Sequence, residues 1–220
     1  SSNSYTQLLT DISLKLKPYK LQNLEIGYNR KLEDFNTDLI NSELVQTNYF
    51  ANYSFITNFN FGWFSQYYYT SQNDSNKRNL FFASAYYKLR HSPILKAGFN
   101  YQFIRFRNQV PTIYFSPEKF IAAEVFIDLL KEENNSSTKE LFYGLNAATG
   151  FQFIEDNKRQ HIYRIQGLLG YKFSERSSAN IFINHSNIAS ATVAGFKFTE
   201  IGFRFKWQIS KRPIFKKIGS

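Results

Sequence analysis

One pair of residues could carry hydrolytic chemistry. His185 and Ser186 are adjacent within Asn184–Asn187, and an imidazole can accept the proton of a serine hydroxyl when a carboxylate orients its ring. Glu200 is the candidate for that carboxylate. Successive side chains of a strand point to opposite faces, however, so His185 and Ser186 would meet only across a bulge. The chain is therefore predicted not to be an enzyme, and a lipid hydrolase is kept only as the third functional hypothesis.

No metal or cofactor site is predicted from the remaining residues. The chain has no cysteine, which excludes disulfides and thiolate ligands. Its other histidines, His91 and His161, have no partner at metal-ligand spacing. The glycines occur singly and mostly on polar faces of predicted strands, which indicates relief of crowding or strand coiling rather than a phosphate-binding loop. The 27 Lys and Arg residues are scattered, so contact with anionic lipid headgroups is favoured over nucleic-acid binding.

A set of charged and amide side chains is the best functional candidate, because these residues alternate with apolar ones. In 95–103, for example, Lys96, Asn100 and Gln102 oppose Phe99 and Tyr101. Such alternation predicts one apolar and one polar face. The predicted lumen-lining residues are Glu25, Lys96, Asn100, Gln102, Glu124, Asp128, Arg164, Gln166, Lys172, Glu200, Arg204 and Lys206. Both signs of charge are present, which suits a salt-bridged plug or a wet path for sugars.

The elements that must position these residues are long amphipathic strands. The period-2 pattern predicts eleven of them, at 5–17, 21–32, 44–57, 59–71, 79–90, 94–108, 119–131, 139–154, 160–174, 177–187 and 197–209. Phe50 and Phe64 break the polar alternation of the third and fourth strands. Residues 118–132 could instead form a helix after Ser116-Pro117, although their period-2 face favours a strand.

Composition and strand length indicate the class of fold. Aromatic residues make up 19% of the chain while mean hydropathy is −0.41, a combination suited to rings that face lipid and polar groups that face water. A soluble β-sandwich would also bury one face, but its strands are usually nearer five or six residues. Strands of ten or more residues match a bilayer. The chain is therefore predicted to be an all-β, antiparallel transmembrane β-barrel of the outer-membrane type.

All but one or two of the connections alternate between short and long, as periplasmic turns and extracellular loops do in such barrels; the exception is 131–138, which is long for a periplasmic turn. Residues 1–210 are predicted to form the barrel domain and 211–220 a basic tail. Single-chain bacterial barrels have even strand numbers. With 11–12 strands predicted and no Met in the sequence, we expect the barrel to be truncated before Ser1.

The segment 114–120, Tyr-Phe-Ser-Pro-Glu-Lys-Phe, precedes an amphipathic strand rich in Ala, Val and Ile. This element, with 173–180 and 199–205, resembles the C-terminal barrel of bacterial cellulose-export and related exopolysaccharide-export outer-membrane proteins, which follow tetratricopeptide repeats. The resemblance covers residues 80–210. It implies a Gram-negative outer-membrane location, a polysaccharide substrate, contact with outer-membrane lipid and lipopolysaccharide, and a periplasmic repeat domain before Ser1.

The sequence leaves open what the loop element formed by Tyr114, Phe115, Ser116 and Pro117 does. Pro117 fixes its own φ and disfavours helix at Ser116, so the element is predicted to be a loop. Its rings either fold back to narrow the lumen or contact a glycan, or else anchor a turn in the interfacial girdle. The leading functional hypothesis is a porin-like conduit for exopolysaccharide. The alternative is a structural or adhesion barrel with a plugged lumen.

Overall fold

The computed structural model describes residues 9–32, 44–57, 60–110, 114–133, 139–155, 159–188 and 198–208. They form eleven strands: β1 (Thr10–Leu16), β2 (Gln22–Leu32), β3 (Val45–Ile56), β4 (Phe61–Gln72), β5 (Lys77–His91), β6 (Ile94–Phe106), β7 (Phe120–Lys131), β8 (Glu140–Ile154), β9 (Gln160–Ser174), β10 (Ser177–Ser186) and β11 (Phe198–Trp207). The all-β prediction is confirmed, and the segment with a helical alternative is strand β7. Within the same ranges, no helix is long and apolar enough to cross a membrane.

The strands form one antiparallel sheet in which sequence order and spatial order are the same, from β1 to β11. Each strand therefore pairs with the strand that follows it in the chain, as short connections favour. Among the described residues β1 pairs only with β2 and β11 only with β10, so the sheet is not closed. The basic tail 211–220 and residues 5–8 of the first predicted strand lie outside the described residues.

The two faces of the sheet differ sharply in chemistry. We call one the apolar face; its side chains include Phe99, Val125, Ile127, Ile201 and Phe203, and they are exposed, Val125 by 57% and Ile201 by 75%. The other, which we call the polar face, holds the side chains of Glu25, Asn100, Glu124 and the residues paired directly with them. Because directly paired residues of neighbouring strands share a face, the alternation within each strand continues across the sheet, except at two register shifts, one between Lys88 and Arg90 and one between Ser177 and Ser178.

Aromatic rings on the polar face lie over glycines of the neighbouring strand. In each case a Cβ on the glycine would overlap the ring of its direct cross-strand partner. The pairs are Gly27 with Phe50, Gly62 with Tyr86, Gly98 with Phe126, Gly170 with Phe142, and Gly202 with Phe182. The prediction that these glycines relieve crowding is confirmed. The same packing explains Phe50, whose ring breaks the alternation because a glycine makes room for it.

One end of the polar face is apolar and closely packed. Its buried cluster lies where β6 ends and where β7 and β9 begin, and consists of Ile104, Phe106, Phe120, Ala122 and Ile162. Side chains from the connections pack on this cluster, including Tyr114, Phe115 and Ile188. Burial of these side chains holds the β6–β7 connection against the sheet.

Candidate functional site

All twelve predicted lumen-lining residues lie on the polar face, as the registers of the eleven strands establish. Six polar side chains form one row across β6 to β11, each paired directly with the next: Lys96, Asp128, Asn146, Gln166, Asn184 and Glu200. At each end of the row, the last two side chains contact each other. Lys96 Nζ lies 3.7 Å from Asp128 Oδ2, and Asn184 Nδ2 donates to Glu200 Oε2 at 2.8 Å.

The most buried acidic group of the set is Glu124 on β7, which is 8% exposed. Its Oε1 accepts from Asn100 Nδ2 at 2.7 Å and from Arg164 Nη2 at 2.5 Å. Glu124 and Arg164 lie two strands apart and reach each other over β8, where their direct partners are the small residues Gly150 and Ala148. The sequence therefore assembles this ion pair by placing long charged side chains on β7 and β9 and short ones between them.

The second carboxylate oxygen of Glu124 is free. Oε2 is buried and has no hydrogen-bond partner among the described residues. A cavity of about 250 Å³ adjoins this residue, lined by Phe82, Asn100, Gln102, Ala122, Glu124, Arg164 and Ile188. Four predicted residues, Asn100, Gln102, Glu124 and Arg164, thus converge on one space.

The remaining charged residues of the set are held by ion pairs or by rings. Lys15 Nζ lies 3.6 Å from Glu25 Oε1, and Lys172 and Lys206 each lie 3.9 Å from the carboxylate of Glu133. The Arg204 guanidinium stacks over the Phe182 ring, 5.6 Å from its centroid. Gln166 and Arg204 line a second, more open cavity of about 430 Å³ with Asp128, Asn184 and Glu200.

The loop element lies against the polar-face cluster, not on the apolar face. The Phe115 ring packs edge-on against Phe120, with centroids 5.8 Å apart. Ser116 is buried, and its Oγ accepts from the Val110 backbone N–H at 2.6 Å. The Pro117 carbonyl accepts from the Phe106 N–H at 3.2 Å. The loop element is therefore folded over one end of the polar face.

The Tyr114 hydroxyl fastens this loop to the connection between β4 and β5. It donates to Asp74 Oδ2 at 2.8 Å or to Gln72 Oε1 at 3.0 Å, and it accepts from Asn76 Nδ2 at 2.7 Å. Burial raises the pKa of Tyr114 above its ordinary value, and the Asp74 carboxylate adds to the shift. The hydroxyl therefore stays protonated, and able to donate, through the neutral range.

Sequence reasoning missed the partners of Tyr114. Asn76 is 1% exposed; its Oδ1 accepts from the backbone N–H groups of Lys77 and Asn108, and its Nδ2 donates to the Asn108 carbonyl. The available signal was the polar run 73–76, Asn-Asp-Ser-Asn, which is typical of a turn whose side chains bond to backbone. Nothing in that run indicates a partner 38 residues away.

The hydrolytic pair does not assemble. His185 lies on the apolar face, where Nε2 is 3.1 Å from Tyr163 Oη and Nδ1 is 2.7 Å from Thr199 Oγ1. Ser186 lies on the polar face, where its Oγ accepts from the Ile188 N–H at 3.2 Å. Within the described ranges, no three His, Asp or Glu side chains come together as a metal site requires.

The fold resembles that of a solved structure described as a bacterial polysaccharide outer membrane secretin. The two superpose with a TM-score of 0.72, over 91% of this chain and 69% of the other, at 12% sequence identity. At this identity the likeness concerns the fold alone. No protein-family model and no curated protein sequence matches the chain.

Proposed function

We propose that this chain forms the wall of a conduit in the outer membrane of a Gram-negative bacterium, through which a polysaccharide is exported. The observation that carries the proposal is the division of one eleven-stranded sheet into an exposed apolar face and a polar face. Exposed side chains such as Ile201, Phe203 and Trp207, at 75%, 68% and 70%, suit contact with acyl chains and outer-membrane lipid. In water they would form an aggregation-prone edge.

The chemistry of the polar face supports a sugar as the transported molecule. Its carboxylates are matched by cations, as in the pairs Lys96–Asp128 and Glu124–Arg164, and amides such as Gln102 and Gln166 lie between them. Such a surface offers hydrogen bonds without a strong field of either sign, so a polyhydroxylated chain can bind and still move on. The fold-level likeness to a polysaccharide secretin agrees with this substrate class. A periplasmic repeat domain preceding the barrel is part of the same proposal.

A plugged structural barrel is the second candidate, and one observation favours it. The loop element and Ile188 pack on the apolar cluster at one end of the polar face, and the Tyr114 hydroxyl bonds hold the loop there. A loop fixed in this way narrows a conduit, or closes it if the rest of the opening is also filled.

Planar-bilayer recordings with the full-length protein test both candidates. A conduit should give stepwise ionic currents, and the double variant Tyr114→Ala, Phe115→Ala should give larger steps because the loop element is released. Wild-type protein that is silent while the double variant conducts would favour the plugged barrel. If neither inserts or conducts, although both fold, the transport proposal is wrong.

A further inference from the structure

We propose that the cavity beside Glu124 is a subsite for one uncharged sugar residue, one hydroxyl of which donates a hydrogen bond to Glu124 Oε2. This inference rests on the proposed function, since it names the substrate class and a place where it binds. The cavity draws on four strands, with Phe82 from β5, Asn100 and Gln102 from β6, Glu124 from β7 and Arg164 from β9.

The first argument is the unsatisfied acceptor. Buried polar atoms nearly always have a hydrogen-bond partner, and leaving one without a partner is costly. Glu124 Oε2 is buried without one, while Oε1 of the same carboxylate accepts from both Asn100 and Arg164. Because Glu124 lines the cavity, a small rotation of its side chain places the oxygen that lacks a protein donor against a molecule bound there.

The charges around the cavity indicate that this donor is neutral. Arg164 Nη2, 2.5 Å from Glu124 Oε1, already balances the carboxylate, so an ammonium group would face a guanidinium at close range. A uronate would face the free oxygen of Glu124. A neutral hydroxyl group avoids both like-charge contacts, because it donates one hydrogen bond to the carboxylate and accepts another through its oxygen. Gln102, whose amide both donates and accepts, lines the same cavity.

The apolar walls and the volume match one sugar ring. Phe82, Ala122 and Ile188 complete the lining, and such carbon surfaces suit the C–H faces of a pyranose. Small-molecule sites combine mostly apolar walls with a few placed polar groups and span roughly 300–1,000 Å³. At about 250 Å³ the cavity lies just below that range, which favours one monosaccharide unit of a longer chain over several.

Calorimetric titration of the full-length protein in detergent tests the subsite with four probes. These are cellotetraose, its permethylated derivative, tetragalacturonate and chitosan tetrasaccharide. Saturable binding is expected for cellotetraose. Loss of the donating hydroxyls should raise the dissociation constant about 10- to 150-fold, the equivalent of one hydrogen bond to a charged group. Addition of either charge should also raise it. The variant Glu124→Gln should weaken cellotetraose binding similarly.

Glu140→Gln is the matched control. Glu140 also pairs with a lysine, Lys131 at 3.3 Å, and also has a buried oxygen without a hydrogen bond, but it does not line this cavity. The Glu140→Gln variant should therefore leave the dissociation constant for cellotetraose unchanged. Equal binding of native and permethylated sugar, tighter binding of a charged probe, equal effects of the two Glu variants, or no saturable binding at all would each overturn the subsite. Bilayer currents without sugar binding would retain the conduit and reject the subsite. Hydroxyl-dependent binding without currents would retain the subsite and reject the conduit.

Discussion

Replacing Gly150 by Ala should destabilise the sheet, whereas the same change at Gly144 should not. Both glycines lie on β8 and point to the polar face. A Cβ at Gly150 would overlap the backbone of β7, at the Ala123 carbonyl oxygen and Glu124 Cα. A Cβ at Gly144 would make only ordinary contacts, the nearest 3.5 Å from Leu130 Cδ1. The two variants therefore differ in what the added methyl group meets, not in the substitution itself.

The size of the effect follows from two terms. Gly→Ala restricts the unfolded chain and stabilises the folded state by ~0.4–1 kcal/mol wherever the backbone accepts alanine. This term is common to both variants. At Gly150 the methyl group must push β7 and β8 apart, and such overpacking costs ~1–3 kcal/mol. The difference between the variants equals this second cost, which corresponds to about 5- to 150-fold in the folding equilibrium constant.

The assay is reversible unfolding by guanidinium of protein refolded into lipid vesicles, followed by tryptophan fluorescence. The free energy of unfolding is obtained from the midpoint and slope of each curve. Gly144→Ala should unfold at or slightly above the wild-type midpoint, and Gly150→Ala should unfold at a clearly lower midpoint than Gly144→Ala. Equal midpoints for the two variants would refute the packing argument. So would a lower midpoint for Gly144→Ala than for Gly150→Ala.

Three further predictions concern the membrane, the loop and the buried ion pair. Val125→Lys on the apolar face should lower the free energy of unfolding in vesicles by ~2–4 kcal/mol if this face contacts lipid. A substitution on a surface that faces water changes it by no more than ~0.5 kcal/mol, so unfolding curves in vesicles distinguish a lipid-facing from a water-facing position. Tyr114→Phe should lower stability by ~1–3 kcal/mol because it leaves buried partners unsatisfied. Since the folded-state pKa of Tyr114 is raised, its stabilising contribution is complete below about pH 10 and falls as pH rises further. Tyr114→Phe should therefore lose less stability than wild type between neutral and strongly alkaline pH in paired unfolding curves. Arg164→Met should lower the free energy of unfolding by about 3 kcal/mol, because it leaves the buried carboxylate of Glu124 without its cation. Lys15→Met is the exposed counterpart: the lysine side chain is 77% exposed, and its loss should lower the free energy of unfolding by less than about 1 kcal/mol.

The faces of the sheet could be predicted from the sequence because alternation is a property of each strand by itself. Once the segment is known to be a strand, the neighbours Phe99 and Asn100 must point to opposite faces, Phe99 to the apolar face and Asn100 to the polar face. The order of the strands also followed, because short connections join neighbours in an antiparallel sheet. Neither inference requires knowledge of which residue pairs with which.

What depends on register could not be predicted. Phe50 belongs on the polar face because Gly27 lies directly opposite on β2, a relation that neither strand reveals alone. The bond between Tyr114 and Asn76 joins two connections 38 positions apart. The ion pair between Glu124 and Arg164 likewise forms across β8, between strands that are not neighbours. Each of these features depends on which residues of different strands or connections lie close together, and the alternation within one strand gives no information on that.

The order of the strands constrains any seam that would turn this sheet into a cylinder. The eleven strands of the described residues alternate in direction, so the first and the last of them run the same way, and bringing these two together directly would create a parallel ladder. A second copy related by a twofold axis parallel to the axis of the cylinder meets the same obstacle at both junctions. A cylinder that is antiparallel throughout needs an odd number of additional strands at the seam. Their outward side chains must continue the apolar face, which ends at Ile12 and Leu14 on one border and at Phe203 on the other.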